Sequence, residues 1–354
     1  MTTITPTAGP ARLARLDGLR GLAAVGVAFG YHIRTIYADG ALDSGIAAIG
    51  WLQVYGWLFV DLFFLLSGYI FAHVYLGRRT LEGPGALADF AVARFARLYP
   101  LHLAMLLVTA VLFAGSNPAN TLPAFFAHLV MAQALAQPVA NSFDGASWSI
   151  SVEVVCYIIF ALAAASGARA LRLATGGALA IALLALILHA APDGPYARDI
   201  FPRGLMGFFL GQVLWHRRAF FARVPGWALA GLIALGMALP PAWLGAILPL
   251  ALLVFPAGLL LALRCGWLES PVFAWLGDRS YTIYLVHAPM LDLFVQARGK
   301  LGGSAGEVVL GHIGAISAIL VVSDLVYRGF ERPARVAIRS AWESWQARPE
   351  VRPA

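Results

Sequence analysis

Charge is scarce in this 354-residue chain. Charged residues make up 12%, about half of the roughly 25% usual in a soluble domain, and only 18 are acidic. Hydrophobic residues reach 60% and mean hydropathy is +0.77, which excludes an ordinary soluble domain and indicates a polytopic membrane protein. Cysteine is almost missing. Cys156 lies within an apolar run and Cys265 at the end of one, so a disulfide framework is excluded and both read as packing residues. No histidine or cysteine spacing suits a metal site, and no metal is expected. Charge runs, low-complexity linkers, composition breaks and internal repeats are all absent, so a single domain is expected. No small-residue cleavage pattern follows an isolated apolar stretch near the start; residues 1–15 are expected to be a disordered cytoplasmic leader before an uncleaved first helix. The net charge of +7 comes from positive residues spread over many short loops. That distribution encodes membrane topology, and no nucleic-acid partner is implied.

What the chain has in abundance is apolar runs of spanning length. A window of about 20 residues predicts an all-α protein with about ten transmembrane helices around a central cavity. The helices fall at 16–36, 52–76, 96–115, 148–166, 171–190, 200–216, 225–240, 243–263, 273–296 and 307–329, within one transmembrane domain over 16–335. The run from Leu122 to Gln137 is short and bracketed by Pro123 and Pro138, which suits an interfacial or re-entrant helix in a long loop, 116–147. Twenty of the 25 Lys and Arg residues fall on one set of alternate loops. The positive-inside rule then places both termini in the cytoplasm, and the protein is expected in the cytoplasmic (inner) membrane. The polar stretch 336–354 is expected to fray.

Against this background a few ionisable residues sit where hydrocarbon makes them costly. His32 lies two-thirds of the way along the first segment, which opens on Asp17 and Arg20. Asp61 and Glu153 fall inside the second and fourth segments. Such residues mark functional sites by default, although a lone membrane histidine serves equally as a polar link between helices.

Several runs then resemble, in order, the membrane acyltransferase 3 family, whose members move acyl groups from acyl-CoA to surface glycans and other hydroxyl acceptors. They are Leu16-Asp17-Gly18-Leu19-Arg20-Gly21 with His32, Val60-Asp61-Leu62-Phe63-Phe64-Leu65-Leu66-Ser67-Gly68-Tyr69, and Arg94-Phe95-Ala96-Arg97-Leu98-Tyr99-Pro100. Ser147-Trp148-Ser149-Ile150-Ser151-Val152-Glu153 with Tyr157, Ser280-Tyr281-Thr282-Ile283-Tyr284-Leu285-Val286-His287, and Glu331-Arg332-Pro333 complete the set. The resemblance covers essentially the whole chain. It implies an O-acyltransferase using acyl-CoA, expected to be acetyl-CoA, to modify a polysaccharide, another glycan or a small hydroxylated acceptor at the membrane. Larger family members carry an extra extracytoplasmic hydrolase-like domain, for which this chain is too short.

The residue types supply that chemistry. Transfer from a thioester needs a base for the hydroxyl proton, cations for the CoA phosphates and a stabiliser for the oxyanion. His32 is the natural base. Asp17 is about 22 Å away along a helix, so Asp61 or Glu153 is expected to be its acidic partner. Arg94 and Arg97 share a helical face and, with Arg20 and Tyr99, are assigned to the CoA donor; arginines at a helix end are also ordinary topology signals. Glu153 and Tyr157 lie one turn apart, and Ser67-Gly68 suits close helix packing by small residues. Trp148, Ser280, Tyr281, Tyr284 and His287 are assigned to substrate binding, although interfacial anchoring explains the tyrosines nearly as well. The other six histidines receive no role.

One departure from the family pattern carries a structural expectation. The family usually places ten residues between the arginine and the histidine, whereas Gly21 to Tyr31 makes eleven. The extra residue turns His32 by about 100° on a regular helix, so a bulge near Gly26 or Gly30 is expected. His32, about 24 Å along the helix from Leu16, would then lie in the outer half of the membrane, on a continuous passage lined by some of Asp61, Glu153 and Tyr284. A carrier or flippase for a glycan-lipid or small metabolite, using His32, Asp61 and Glu153 as a polar path, is the alternative, and a structural membrane partner is a third. No inverted repeat favours transport.

Overall fold

The computed structural model describes residues 13–38, 46–77, 81–83, 85–113, 115–189, 199–240, 245–302 and 304–347. Helices form at every apolar run that the sequence marks. They are α1 (Ala14–Val25), α2 (Ala47–Tyr55), α3 (Phe59–Phe71), α4 (Ala86–Leu112), α5 (Leu122–Leu129), α6 (Trp148–Ala165) and α7 (Ala168–His189). After these come α8 (Ile200–His216), α9 (Gly226–Ala238), α10 (Phe255–Ala262), α11 (Pro271–Arg298), α12 (Ala305–Val326) and α13 (Arg332–Gln346). Among the described residues no strand occurs, and five helical stretches are long and apolar enough to cross a membrane: Ala47–Leu76, Ala86–Leu112, Gly145–Ala165, Ala168–Leu188 and Gly306–Gln346. The short α5 starts at the Thr121 cap, whose side chain accepts the Ala124 amide hydrogen, and it ends well before Gln137.

Three boundaries differ from the sequence reading, for one reason: a hydropathy window detects apolar length, not helix. The helix expected at 96–115 begins ten residues earlier, because Asp89, Arg94 and Arg97 depress the window without breaking the helix. The stretch after 336 continues as helix, α13 running to Gln346. Helix α1 starts at Ala14, inside the stretch expected to be disordered; residues 1–12 and 348–354 lie outside the described residues.

The first segment contains the expected irregularity. A π-helical turn spans Gly26–Tyr31 and a 3-10 turn spans His32–Ile36, so the surplus residue is absorbed immediately before His32.

Glycines set the helix spacing around the site. A Cβ at Gly21 would meet the Gly277 amide nitrogen at 2.8 Å, and one at Gly277 would meet the Asp17 carbonyl oxygen at 2.3 Å, so α1 and α11 touch backbone to backbone. In the same way a Cβ at Gly68 would lie 1.7 Å from the Phe208 carbonyl oxygen, and one at Gly211 2.2 Å from that of Leu65, locking α3 to α8 as small-residue packing allows. Beside this contact Phe71 stacks on Tyr157 at 4.4 Å and meets Phe90, Phe160 and Phe208 edge-on.

Candidate active site

A cavity of about 970 Å³ opens between α1, α3, α4, α6, α11 and the turn joining α12 to α13. Its wall carries Arg20 from α1, Arg94 and Arg97 from α4, Arg279 from α11, and Arg328, Arg332, Arg335 and Arg339 from the C-terminal turn and helix, against the carboxylates of Asp17, Glu153 and Asp278. The cationic excess suits a polyanion. Several of these arginines are already committed. Arg97 pairs with Glu331, which also accepts from the Thr282 hydroxyl; Arg279 and Arg328 share Asp324; Arg20 lies 3.5 Å from Asp17. Arg94 packs its guanidinium 4.9 Å above the Phe71 ring, with Nε buried and without a hydrogen-bond partner.

At the cavity's other end stand Phe63 and Tyr284, rings edge-to-face at 5.7 Å. The Tyr284 hydroxyl donates to the Ala146 carbonyl (2.8 Å) and accepts from Ser149 (3.0 Å). Ala146 is held there by the loop. His128 bridges Ser142 (2.9 Å) and Ser147 (3.3 Å), and Gln133 donates to the Ser147 carbonyl (2.7 Å). His102 donates to the carbonyl of His128, so two of the histidines left without a role tie the loop to α4.

Behind Tyr284 two histidines meet. His287, one turn further along α11, has its ring 5.9 Å from that of Tyr284, and its Nε2 lies 2.9 Å from His32 Nδ1. His287 Nδ1 lies 3.1 Å from the Ile283 carbonyl oxygen. A carbonyl only accepts, so His287 Nδ1 carries the hydrogen and its Nε2 the lone pair. His32 Nδ1–H donates to that lone pair, and His32 Nε2 is left as a free base. The partner of His32 is thus another imidazole braced by a backbone carbonyl, neither Asp61 nor Glu153. The Tyr31 ring meets His32 edge-on at 4.9 Å, and the Arg34 guanidinium lies over the Tyr31 ring at 4.0 Å and donates to its hydroxyl.

The two carboxylates are engaged elsewhere. Asp61 accepts twice from Arg203 Nε, at 2.9 and 3.2 Å, and both residues are buried. The Arg203 guanidinium lies over Trp57 (4.5 Å) and within 5.3 Å of the Trp148 ring. This pair joins α3 to α8, off the cavity wall, and Trp148 packs with it. Glu153 does face the cavity, accepting from Ser67 (2.8 Å) and from Tyr157 one turn on. Ser280 and Tyr281 also line the cavity, Ser280 donating to the Gly277 carbonyl and Tyr281 to that of Leu98. Tyr99 is off the wall, stacked on Phe95 at 4.6 Å, because it points from α4 on the side away from Arg94 and Arg97. The expected passage is seen only in part: the cavity wall includes Glu153 and Tyr284 but neither His32 nor Asp61. Two groups escaped the sequence reading. Arg203 lay inside a spanning segment, a costly cation demanding an acid, and Arg335 and Arg339 continue the helical face begun by Arg332.

Comparison with known proteins gives the chain's family. An acyltransferase of Streptomyces mycarofaciens, MdmB, is 28% identical over 361 aligned positions covering 90% of this chain and 89% of that protein. Protein 2 of the picA locus of Rhizobium radiobacter is 31% identical across 51% of this chain and 96% of its own length. The peptidoglycan O-acetyltransferase OatA of Listeria monocytogenes is 24% identical across 90% of this chain and 55% of that longer protein. No solved structure matches. The family profile described as an acyltransferase domain spans residues 13–328, nearly all of the helical body, and the chain therefore belongs to the acyltransferase 3 family of membrane acyltransferases.

Proposed function

We propose that this membrane acyltransferase moves an acetyl or other short acyl group from acyl-CoA to a hydroxyl of a glycan or small hydroxylated acceptor, with His32 as general base. The observation that carries the reading is the His32–His287 pair standing one helical turn beyond a large arginine-walled cavity. Donor phosphates occupy the arginine end, and the thioester reaches toward Tyr284. The positive-inside rule makes that end cytoplasmic, in the cytoplasmic membrane, and leaves His32 nearer the opposite face, where the acceptor enters. Tyr284 must turn aside to bring thioester and His32 together, which releases its hydroxyl from Ala146 and frees an O–H donor for the thioester oxygen.

The reaction balances without a metal. His32 Nε2 takes the acceptor's hydroxyl proton as its oxygen attacks the thioester carbonyl. The oxyanion collapses, the C–S bond breaks, and the departing thiolate recovers the proton from His32, giving an ester and free CoA. His287 holds the imidazole in the tautomer that makes this possible. Incubating purified protein with radiolabelled acetyl-CoA and a panel of glycan and macrolide acceptors tests the reading: label should pass to an acceptor, and His32→Ala should lose the transfer while remaining folded. Transfer at the wild-type rate by that variant would remove His32 as the base.

A further inference from the structure

The last described helix, α13, contributes more of the cavity's cationic wall than the α4 pair. α13 lies along the first half of α4, where Trp342 Nε1 and Gln346 Nε2 both donate to Asp89, at 2.7 and 2.6 Å. Arg332, Arg335 and Arg339, at i, i+3 and i+7, share one helical face, and all three line the cavity with Val336 between them. Among the described residues none of the three forms a close ion pair, in contrast to Arg97, Arg279, Arg328 and Arg20; Arg335 lies only within electrostatic reach of Glu331. Arg94, across the cavity, also forms no close ion pair among the described residues. Like charges one turn apart cost a helix stability, and a bound polyanion would offset that cost. The cations outside ion pairs occupy two places, one on α4 and three along α13, which fits a ligand with two separate anionic groups; of the three, Arg335 also donates to the Tyr327 hydroxyl and lies near Glu331.

We propose that the α13 arginine face holds the 3′-phosphorylated nucleotide end of the donor, so that the C-terminal helix selects intact CoA thioesters over shortened ones. This rests on the acyl-CoA reading above. A pyrophosphate near Arg94 and a phosphate monoester on α13 satisfy both groups of cations, and a donor lacking the monoester leaves α13 uncompensated.

Calorimetry on the full chain in lipid nanodiscs, with CoA, 3′-dephospho-CoA and pantetheine as probes, tests this. Wild type should bind CoA at least tenfold more tightly than dephospho-CoA. The triple variant Arg332→Gln, Arg335→Gln, Arg339→Gln should lose about 100-fold or more in CoA affinity and no longer separate CoA from dephospho-CoA. The corresponding triple lysine variant should keep part of the discrimination, and Arg172→Gln, a charge change outside the cavity wall, should keep all of it. Helix content and melting temperature report that each variant is folded. Undiminished discrimination in the triple glutamine variant would overturn the proposal. Wild-type transfer from S-acetylpantetheine with no preference for CoA would overturn it while the thioester reading stands; transfer from no thioester would overturn both.

Discussion

His32 and His287 are 255 positions apart, and their meeting determines which nitrogen is basic. His32 was legible as the candidate base because a histidine inside hydrocarbon is costly. Its partner was not, because a carboxylate is the commoner brace and the sequence offered Asp61 and Glu153; Asp61 is instead paired with Arg203. With His287→Ala the His32 Nδ1–H loses its acceptor, and the rate at saturating donor should fall about 100-fold with little change in donor KM. His287→Gln, whose amide oxygen accepts the same hydrogen, should recover part of the loss; wild-type turnover in His287→Ala would reject the brace. The α4 arginines divide by the same logic. Glu331 is buried, so Arg97→Ala strands a carboxylate at a cost of about 3 to 5 kcal/mol, readable as a lowered melting temperature in detergent. Arg94→Ala strands nothing, and should leave melting unchanged while weakening CoA binding about tenfold. Equal melting temperatures for the two variants would contradict this division.

Elements were easier to read than their ends. Apolar runs located the helix cores, and the eleven-residue spacing located the π turn before His32, because helix geometry leaves one surplus residue nowhere else to go. Charged helix stretches at the ends of α4 and α13 were invisible to hydropathy. The α3–α8 contact was half legible: Ser67-Gly68 was recognised as close packing, but the facing glycines of α8 were not, since sequence does not say which helices meet. Gly68→Ala drives a methyl to within 1.7 Å of the Phe208 carbonyl oxygen, so α3 and α8 must separate and pull Asp61 from Arg203. Yield of monodisperse protein should collapse. Gly231→Ala, where a Cβ meets nothing within 4 Å, should express normally. Comparable yields for both would show that the two helices have slack.

At the scale of the whole molecule the cavity and the histidine pair lie on the two sides of the Phe63–Tyr284 wall, and in the proposed reaction that division sets a direction. The arginines of α4 and the place of His32 in the first segment were legible in the sequence; the wall between them was not, because it depends on a loop carbonyl, that of Ala146, holding a tyrosine of α11. If donor and acceptor meet at this wall from opposite faces, the acyl group crosses the membrane as it is transferred. In sealed vesicles of uniform orientation, acetyl-CoA should support turnover only from the face bearing Arg94. An impermeant glycan acceptor should be modified only from the face bearing the 116–147 loop. Tyr284→Phe removes the hydroxyl bonds that hold the wall shut and also the proposed oxyanion donor. It should lower transfer about tenfold or more and raise donor hydrolysis relative to transfer, because water gains access to the thioester. Acceptor turnover from the Arg94 face alone would place both substrates in one cavity and rule out a transmembrane reaction, even with His32 kept as the base.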